Sequence, residues 1–187
     1  MGTEKKMIST NSVRHTNWYV ITGGPGSGKT TTVNLLKAKG YHTTIEHARH
    51  YIDTKKITGK TVAEIRNNQK EFQTGILDMQ IEQEASLSPG EIVFLDRALP
   101  DTLAYHRFLN LPVDERLANV LKAVAYKKIF ILDFLPLVND YARLEDEAAQ
   151  RKIHSLLTEL YESLPFPVVH VPVLQPEERV DFILNNL

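Results

Sequence analysis

Hydrophobic residues fall along this chain in two alternating kinds of run. One kind is short and unbroken, rich in β-branched and aromatic residues: NWYVITG (17–23), EIVFLDR (91–97), KKIFILDF (127–134) and PVVHVPV (167–173). Runs without polar alternation suit strands buried on both faces of a parallel sheet. YHTTIEHAR begins as a further strand at Tyr41 and then turns polar. The other kind of run is spaced for helix. Over 69–88, Phe72, Ile76 and Met79 recur at i, i+4 and i+7, with Leu77, Ile81 and Ala85 beside them, until SPG stops the pattern. Val33, Leu35, Leu36 and Ala38 give a helix over 29–39 with Gly40 as its stop, and Ile153, Leu156, Leu157 and Leu160 give one over 147–163. Shorter helices are expected over 62–68, 101–109 and 114–125, and PEERVDFILNNL closes the chain with Pro176 in its first turn. Strand and helix thus alternate five times, the pattern of an α/β three-layer sandwich with right-handed crossovers between parallel strands.

Composition narrows this little. The chain has 187 residues, 42% hydrophobic and 24% charged, which suits one domain, residues 17–187, after a solvated tail over 1–16. The tail shows no apolar run of the kind a signal peptide needs, and no stretch approaches the roughly 18 apolar residues of a membrane span. A net charge of −1 offers no field for nucleic acid, so neither nucleic acid nor membrane is an expected partner. Cysteine is absent, which excludes disulfides, thiolate metal sites and a cysteine nucleophile, and fits a cytoplasmic protein.

The chemistry is carried by ITGGPGSGKTTT. Gly23-x-x-x-x-Gly28-Lys29-Thr30 has every fixed position of a phosphate-binding loop, and it stands where such a loop must, after a strand and opening a helix. Gly24, Pro25, Gly26 and Ser27 fill the variable positions, and Thr31 follows. Inward backbone N–H groups and a helix N-terminus cradle the phosphates, Lys29 brings a charge to the β/γ oxygens, and the Thr30 hydroxyl is an Mg²⁺ ligand. ATP and Mg²⁺ are therefore the expected cofactors. The metal also needs a carboxylate at a strand end. Asp96 and Asp133 both end apolar runs; Asp96 is favoured, with Asp133 read as a capping residue.

Arg97 follows Asp96, where an ATPase built for hydrolysis commonly has a glutamate to activate water. Arginine stays protonated and is no base, but it can position a substrate or stabilise transferring charge. Past the second strand, Glu46 is either the base for an attacking hydroxyl or a glutamate at a helix N-terminus, and Arg49 either holds a polar or anionic substrate group or is exposed. His47 and His50 flank the same region, but HExxH is absent and no third ligand is placed. On pattern alone Phe72 is core and Gln73 and Gln80 are solvated. Arg143 and Arg151, in a charged stretch after the fourth strand, either close over the phosphates or pair at i, i+4 on a solvated helix. No Asn-Lys-x-Asp or Thr-Lys-x-Asp is present to support a regulatory GTPase.

Together GGPGSGKTT, EHARHYI, FQTGILDMQIEQEASL, VFLDRALPDTLAY, DYARLE and VPVLQPEERVDFIL resemble the P-loop kinases, within them the NadR-like group, and at more distance the deoxynucleoside kinases. The resemblance implies the P-loop NTPase fold, with a five-stranded parallel sheet of order 2-3-1-4-5. It implies Glu46 as base, Phe72–Gln73 at the acceptor's planar group, and Asp96–Arg97 ending the third strand, with Lys29, Glu46, Asp96, Arg97 and Arg143 as the catalytic set. The chain departs from the deoxynucleoside kinases at Ala98, where they usually have serine. The expected activity is ATP- and Mg²⁺-dependent phosphoryl transfer to a hydroxyl of a small, nucleoside-like metabolite. The alternative is an NTP-binding ATPase or nucleotide-dependent switch acting through a protein partner.

Overall fold

The computed structural model describes residues 13–135 and 147–187. In chain order the elements are β1 (Arg14–His15), β2 (Trp18–Thr22), α1 (Lys29–Ala38), β3 (His42–Thr43), α2 (His47–Ile57), α3 (Val62–Asn67), α4 (Gln69–Ser86), β4 (Val93–Asp96), α5 (Leu99–Phe108), α6 (Glu115–Leu121), β5 (Val124–Ala125), β6 (Lys128–Leu132), α7 (Glu147–Glu162), β7 (Val168–Val171) and α8 (Pro176–Leu184). β3, β4, β2, β6 and β7 form one parallel sheet in that order. Numbered as the five expected strands, this is the order 2-3-1-4-5.

The unbroken apolar runs are explained by layers on both faces. One face packs Trp18, Val20, Leu95, Ile129 and Ile131 against Leu157 and Tyr161 of α7. The other packs Tyr19, Ile21, Phe94 and Phe130 against Leu36 of α1 and Val180 and Ile183 of α8. Alternate residues of each strand go to opposite faces, and both faces are covered, so no polar alternation survives.

Three expectations change. Residues 14–16, expected within a solvated tail, are tied to the domain: Arg14–His15 pairs with Val124–Ala125 and the Thr16 hydroxyl donates to the Ala125 carbonyl at 2.9 Å. Residues 1–12 lie outside the described residues. The helix expected over 114–125 stops at Leu121 because the chain is drawn into that pairing. α2 was foreseen only through the alternative reading of Glu46 as a helix N-terminal residue: its sequence HARHYIDTKKI buries only His47 and Ile52, too few positions to mark a helical face. It packs on α4 through Ile52, Ile65, Phe72 and Ile76, a small cluster apart from the sheet core.

Candidate active site

The candidate site residues gather at the carboxyl ends of β2, β3 and β4. The loop after β2 takes positive φ at Gly23 (141°), Gly26 (84°) and Gly28 (81°). At Gly28 a side chain would also have to displace its neighbours: a Cβ would stand 2.7 Å from Arg179 Nη1 and 2.9 Å from Leu135 Cδ1. Lys29, the first residue of α1, is buried, and its ammonium donates to the carbonyls of Gly23 (3.0 Å) and Gly24 (2.9 Å) and to Ser27 Oγ (3.2 Å). Burial, with Arg97 adding, brings its pKa down to about 7 against the pull of Glu46, Asp96 and Asp101. An anion placed in the cradle restores the full charge.

The cradle is braced from behind by residues that the sequence pattern did not single out. The Gly24 N–H donates to His154 Nδ1 at 3.1 Å, which requires a neutral imidazole there, and burial lowers the His154 pKa accordingly. The Gln150 amide donates to the Pro25 carbonyl, and Arg179 Nη1 to the Ser27 carbonyl at 2.7 Å. Two of these side chains come from α7 and one from α8.

Asp96 ends β4 beside Ile21 of β2. Asp133 follows β6, the strand on the other side of β2, and is half-buried. The Asp96 carboxyl is buried, and its Oδ1 has no hydrogen-bond partner among the described residues. Burial and then the charge of Glu46 push its pKa up to about 7. Thr30 donates to Glu46 Oε2 at 3.3 Å. A hydroxyl, a carboxylate and an orphaned carboxyl oxygen make an all-oxygen donor set, which fits Mg²⁺ held jointly with substrate phosphates. Among the described residues no group of three or more His, Asp or Glu is placed to hold a metal by itself. His47 is buried, and desolvation brings its pKa down to about 4.

Glu46 stands at the N-cap of α2, yet its side chain makes no capping bond. It turns to Thr30 and to Arg49, whose Nε donates to it at 3.3 Å. Burial opposes its ionisation, but Arg97, Lys29 and Arg49 outweigh burial and hold the pKa below the usual carboxylate value. Arg97 is held most firmly. Its backbone has φ 66°, a left-handed conformation that costs a non-glycine residue about 1–2 kcal/mol, and its N–H donates to Ile21 O at 3.0 Å. Nη1 donates to Asp101 Oδ1 at 2.8 Å, and Nη2 to the Tyr105 hydroxyl at 3.4 Å. Although burial opposes its charge, Tyr105, Asp101, Glu46 and Asp96 raise its pKa.

Asp101 organises this corner. Fully buried, it accepts from Thr22 (2.6 Å), Arg97 (2.8 Å), Tyr161 (2.6 Å) and the Ala98 N–H (3.1 Å). In the sequence it looks like an ordinary acid in a helix's first turn. The signal that could have found it is its place four residues after Arg97 on a buried helix.

The cradle residues Gly28, Lys29 and Thr30 share one cavity of about 1020 Å³ with Glu46 and the space past it. Its walls include Arg49, Phe72, Gln73, Gln80, Tyr105 and Phe108. Phe72 is core to the α2–α4 cluster and meets Tyr51 edge-on at 5.6 Å between centroids. Gln73 and Gln80 are buried rather than solvated; Gln80 accepts from the Thr102 hydroxyl at 2.5 Å. Arg151 pairs with Glu147 at i, i+4 (2.8 Å) on an exposed face, the second of its two expected states. Arg143 lies outside the described residues.

A parallel sheet in this order, with a glycine loop running from its central strand into a buried lysine, defines a P-loop NTPase of the kinase-like kind. The chain belongs to the AAA-domain family, whose model matches residues 18–179. Among solved structures it is similar to the NadR protein in complex with NR (19% identity, TM-score 0.64, covering 91% of this chain and 51% of that one). It thus spans about half of NadR. It is similar over nearly whole lengths to deoxyadenosine kinase from M. mycoides (18% identity, TM-score 0.62, covering 90% and 97%). The same holds for thymidylate kinase from Ehrlichia chaffeensis (14% identity, TM-score 0.63, covering 94% and 98%). At these identities the likeness is one of fold. No curated protein matches.

Proposed function

We propose that the protein transfers the γ-phosphoryl group of ATP to a hydroxyl of a small, nucleoside-like metabolite. One observation carries this reading: an ionised, half-buried Glu46 lines, together with Lys29 and Thr30 of the phosphate cradle, a single cavity of about 1020 Å³ that runs on to Phe72, Gln73 and Phe108, while Arg97 occupies the position after Asp96. A site built for hydrolysis needs room for one water and a base beside it. Here the space admits a metabolite of nucleoside size.

The residues divide the work as follows. Lys29 and the loop amides from Gly23 to Thr31 bind the triphosphate, the ammonium exchanging its bonds to Gly23 and Gly24 for bonds to phosphate oxygens. Thr30 and Asp96 hold Mg²⁺, which when bound supplies charge neutralisation at the β/γ oxygens. Arg97, fixed by Asp101 and Tyr105, places a permanent positive charge where the transferring group passes. Glu46 orients the acceptor hydroxyl and takes its proton. A carboxylate with a lowered pKa is a weak base, which suits a loose transfer in which the nucleophile forms little bond until late. Arg49, Phe72 and Gln73 orient the acceptor, with the Gln73 amide offering a donor and an acceptor to a planar group.

The test measures ADP release alone and then against nucleosides, nicotinamide riboside and small polyols. A true acceptor raises the rate by orders of magnitude. Glu46→Gln removes most of that increase, about 10²–10⁴-fold for a general base. A flat panel, or an unchanged rate in Glu46→Gln, overturns the proposal.

A further inference from the structure

The peptide that joins Gly23 to Gly24 is held from both sides. Its carbonyl, on Gly23, accepts from the Lys29 ammonium at 3.0 Å inside the cradle. Its N–H, on Gly24, donates outward to Nδ1 of His154 on α7 at 3.1 Å. A trans peptide points its carbonyl and its N–H in opposite directions, so the two bonds together fix the plane of this one. Gly24 also receives α7 at close range: a Cβ there would stand 3.0 Å from His154 Cβ and 3.2 Å from the Gln150 carbonyl oxygen. The imidazole is set in turn by Phe134, whose ring lies 4.4 Å away between centroids at 38°. Arg151 stands over the Phe134 ring at 5.5 Å.

Gly23 and Gly24 are the one Gly-Gly pair in the sequence. Between two glycines a peptide can rotate by half a turn without a Cβ clash, so local sterics do not choose its orientation. The choice falls to the partners at its two ends. Elsewhere on the loop, the Gln150 amide and the Arg179 guanidinium keep their donors as pH changes; His154 does not keep its acceptor. A neutral imidazole with its proton on Nε2 accepts at Nδ1. An imidazolium donates from both nitrogens, and its Nδ1–H then meets the Gly24 N–H head-on. The charged and titratable groups facing the ring are Lys29 of α1, Asp133 after β6 and His170 of β7, which Glu162 holds at 2.9 Å. Burial comes first among the causes that keep the His154 pKa below the usual 6.5; Lys29 and His170 add to it, and Asp133 opposes it.

We infer that His154 is a positioning residue for the phosphate loop: as a neutral acceptor it holds the Gly23–Gly24 peptide in the orientation that binds a triphosphate, and its protonation frees that peptide and weakens binding. The inference rests on the nucleotide reading of the cradle and adds a proton that controls it. An imidazolium also attracts phosphates, but this one is half-buried behind Gly24, where screening leaves little of the attraction. A buried N–H turned against another donor loses more. Affinity therefore falls as pH drops through the His154 pKa. Lys29 works in the opposite sense, because below its pKa of about 7 it carries the charge that phosphates need. Affinity passes through a maximum between the two.

The experiment is equilibrium binding of tripolyphosphate by calorimetry, from about pH 5 to about pH 8, the range in which histidine titrates. The proteins are wild type, His154→Gln and His154→Leu. Magnesium is left out so that Asp96, with a pKa of about 7, takes no part. The ligand's own protonation cancels in the ratio between two proteins. At the alkaline end His154→Leu binds about tenfold more weakly than wild type, the scale of one lost hydrogen bond. His154→Gln, whose side-chain oxygen accepts without titrating, restores most of that loss. At the acid end wild type falls to the level of His154→Leu, and His154→Gln exceeds both by about tenfold. Nitrogen NMR of the His154 ring in wild type titrates at the pH where the ratio turns. A ratio of wild type to His154→Gln that is flat across the range overturns the proposal, and that comparison does not need His154→Leu to fold. Wild-type affinity in a folded His154→Leu at the alkaline end overturns it as well. If wild type binds tripolyphosphate at no pH, the cradle reading itself falls and the inference falls with it.

Discussion

Asp101 is the residue on which the corner around Arg97 depends. With four donors on one carboxylate and no exposure, it cannot be exchanged for its amide without turning an acceptor into a donor against Arg97 or Tyr161. Asp101→Asn should leave nucleotide affinity within a few-fold, since the cradle is made by other residues. It should lower the transfer rate with the identified acceptor by about 10–100-fold, the scale of a misplaced catalytic group. Equal losses in binding and rate would place Asp101 in the scaffold alone. Glu84 of α4 makes a different prediction. It is buried against Tyr126, whose hydroxyl donates to it at 2.9 Å, and accepts from the Leu99 N–H at 3.3 Å. Burial raises its pKa from 4.5 to about 8. The folded chain thus keeps a proton that the unfolded chain releases. The stabilisation is complete below pH 4.5 and is lost as pH rises toward about 8. Within that window unfolding free energy should fall by up to about 1.4 kcal/mol per pH unit. Urea unfolding at successive pH values measures the slope, and Glu84→Gln should flatten it; parallel slopes in the two proteins would refute the assignment.

At the scale of elements, the cradle is a joint between α1, α7 and α8 as much as a loop. Gly28 shows it best. Gly28→Ala must accept φ 81° at a cost of about 1–2 kcal/mol and displace the Arg179 guanidinium as well. The expected outcome is a folded protein, by circular dichroism, whose affinity for magnesium tripolyphosphate falls at least tenfold; unchanged affinity would mean the joint is looser than its geometry. The sheet was legible because β2, β4 and β6 are buried on both faces and announce themselves as unbroken apolar runs, with the edge strand β7 carrying three valines. The glycine loop was legible because its spacing is dictated by phosphate geometry. α2 showed only through the alternative reading of Glu46, since it buries two residues and leans on α4 rather than on the sheet. β1 and β5, two residues each, exist only through pairing across more than 100 positions, which no local pattern encodes. The braces at Gln150, His154 and Arg179 were invisible for the same reason. Each is a polar residue on an amphipathic helix, and only the packing of α7 and α8 turns it toward the loop.

For the molecule as a whole, a net charge of −1 conceals an uneven distribution. Lys29, Arg49, Arg66 and Arg97 all line the acceptor cavity, where Glu46 and Asp101 also stand. An anion entering there offsets the burial and the Arg97 charge that lower Lys29, so nucleotide binding and stability are linked. At a hundredfold excess over its dissociation constant a ligand adds about 2.7 kcal/mol. For a chain of this size that is about 5–10 °C in thermal midpoint. The magnesium complex of a non-hydrolysable ATP analogue should produce a shift of that order, and Lys29→Ala should abolish it. Because Gln150, His154 and Arg179 bond directly to the loop, the added stability cannot stay in residues 23–31. Amide hydrogen exchange should slow in α7 and α8 on binding as well as in the loop and α1, while α6 and the β1–β5 pair, which touch none of these residues, should be unaffected. Protection confined to the loop would show the braces to be passive neighbours. Protection reaching both helices would show that the C-terminal third of the fold holds the cradle in shape.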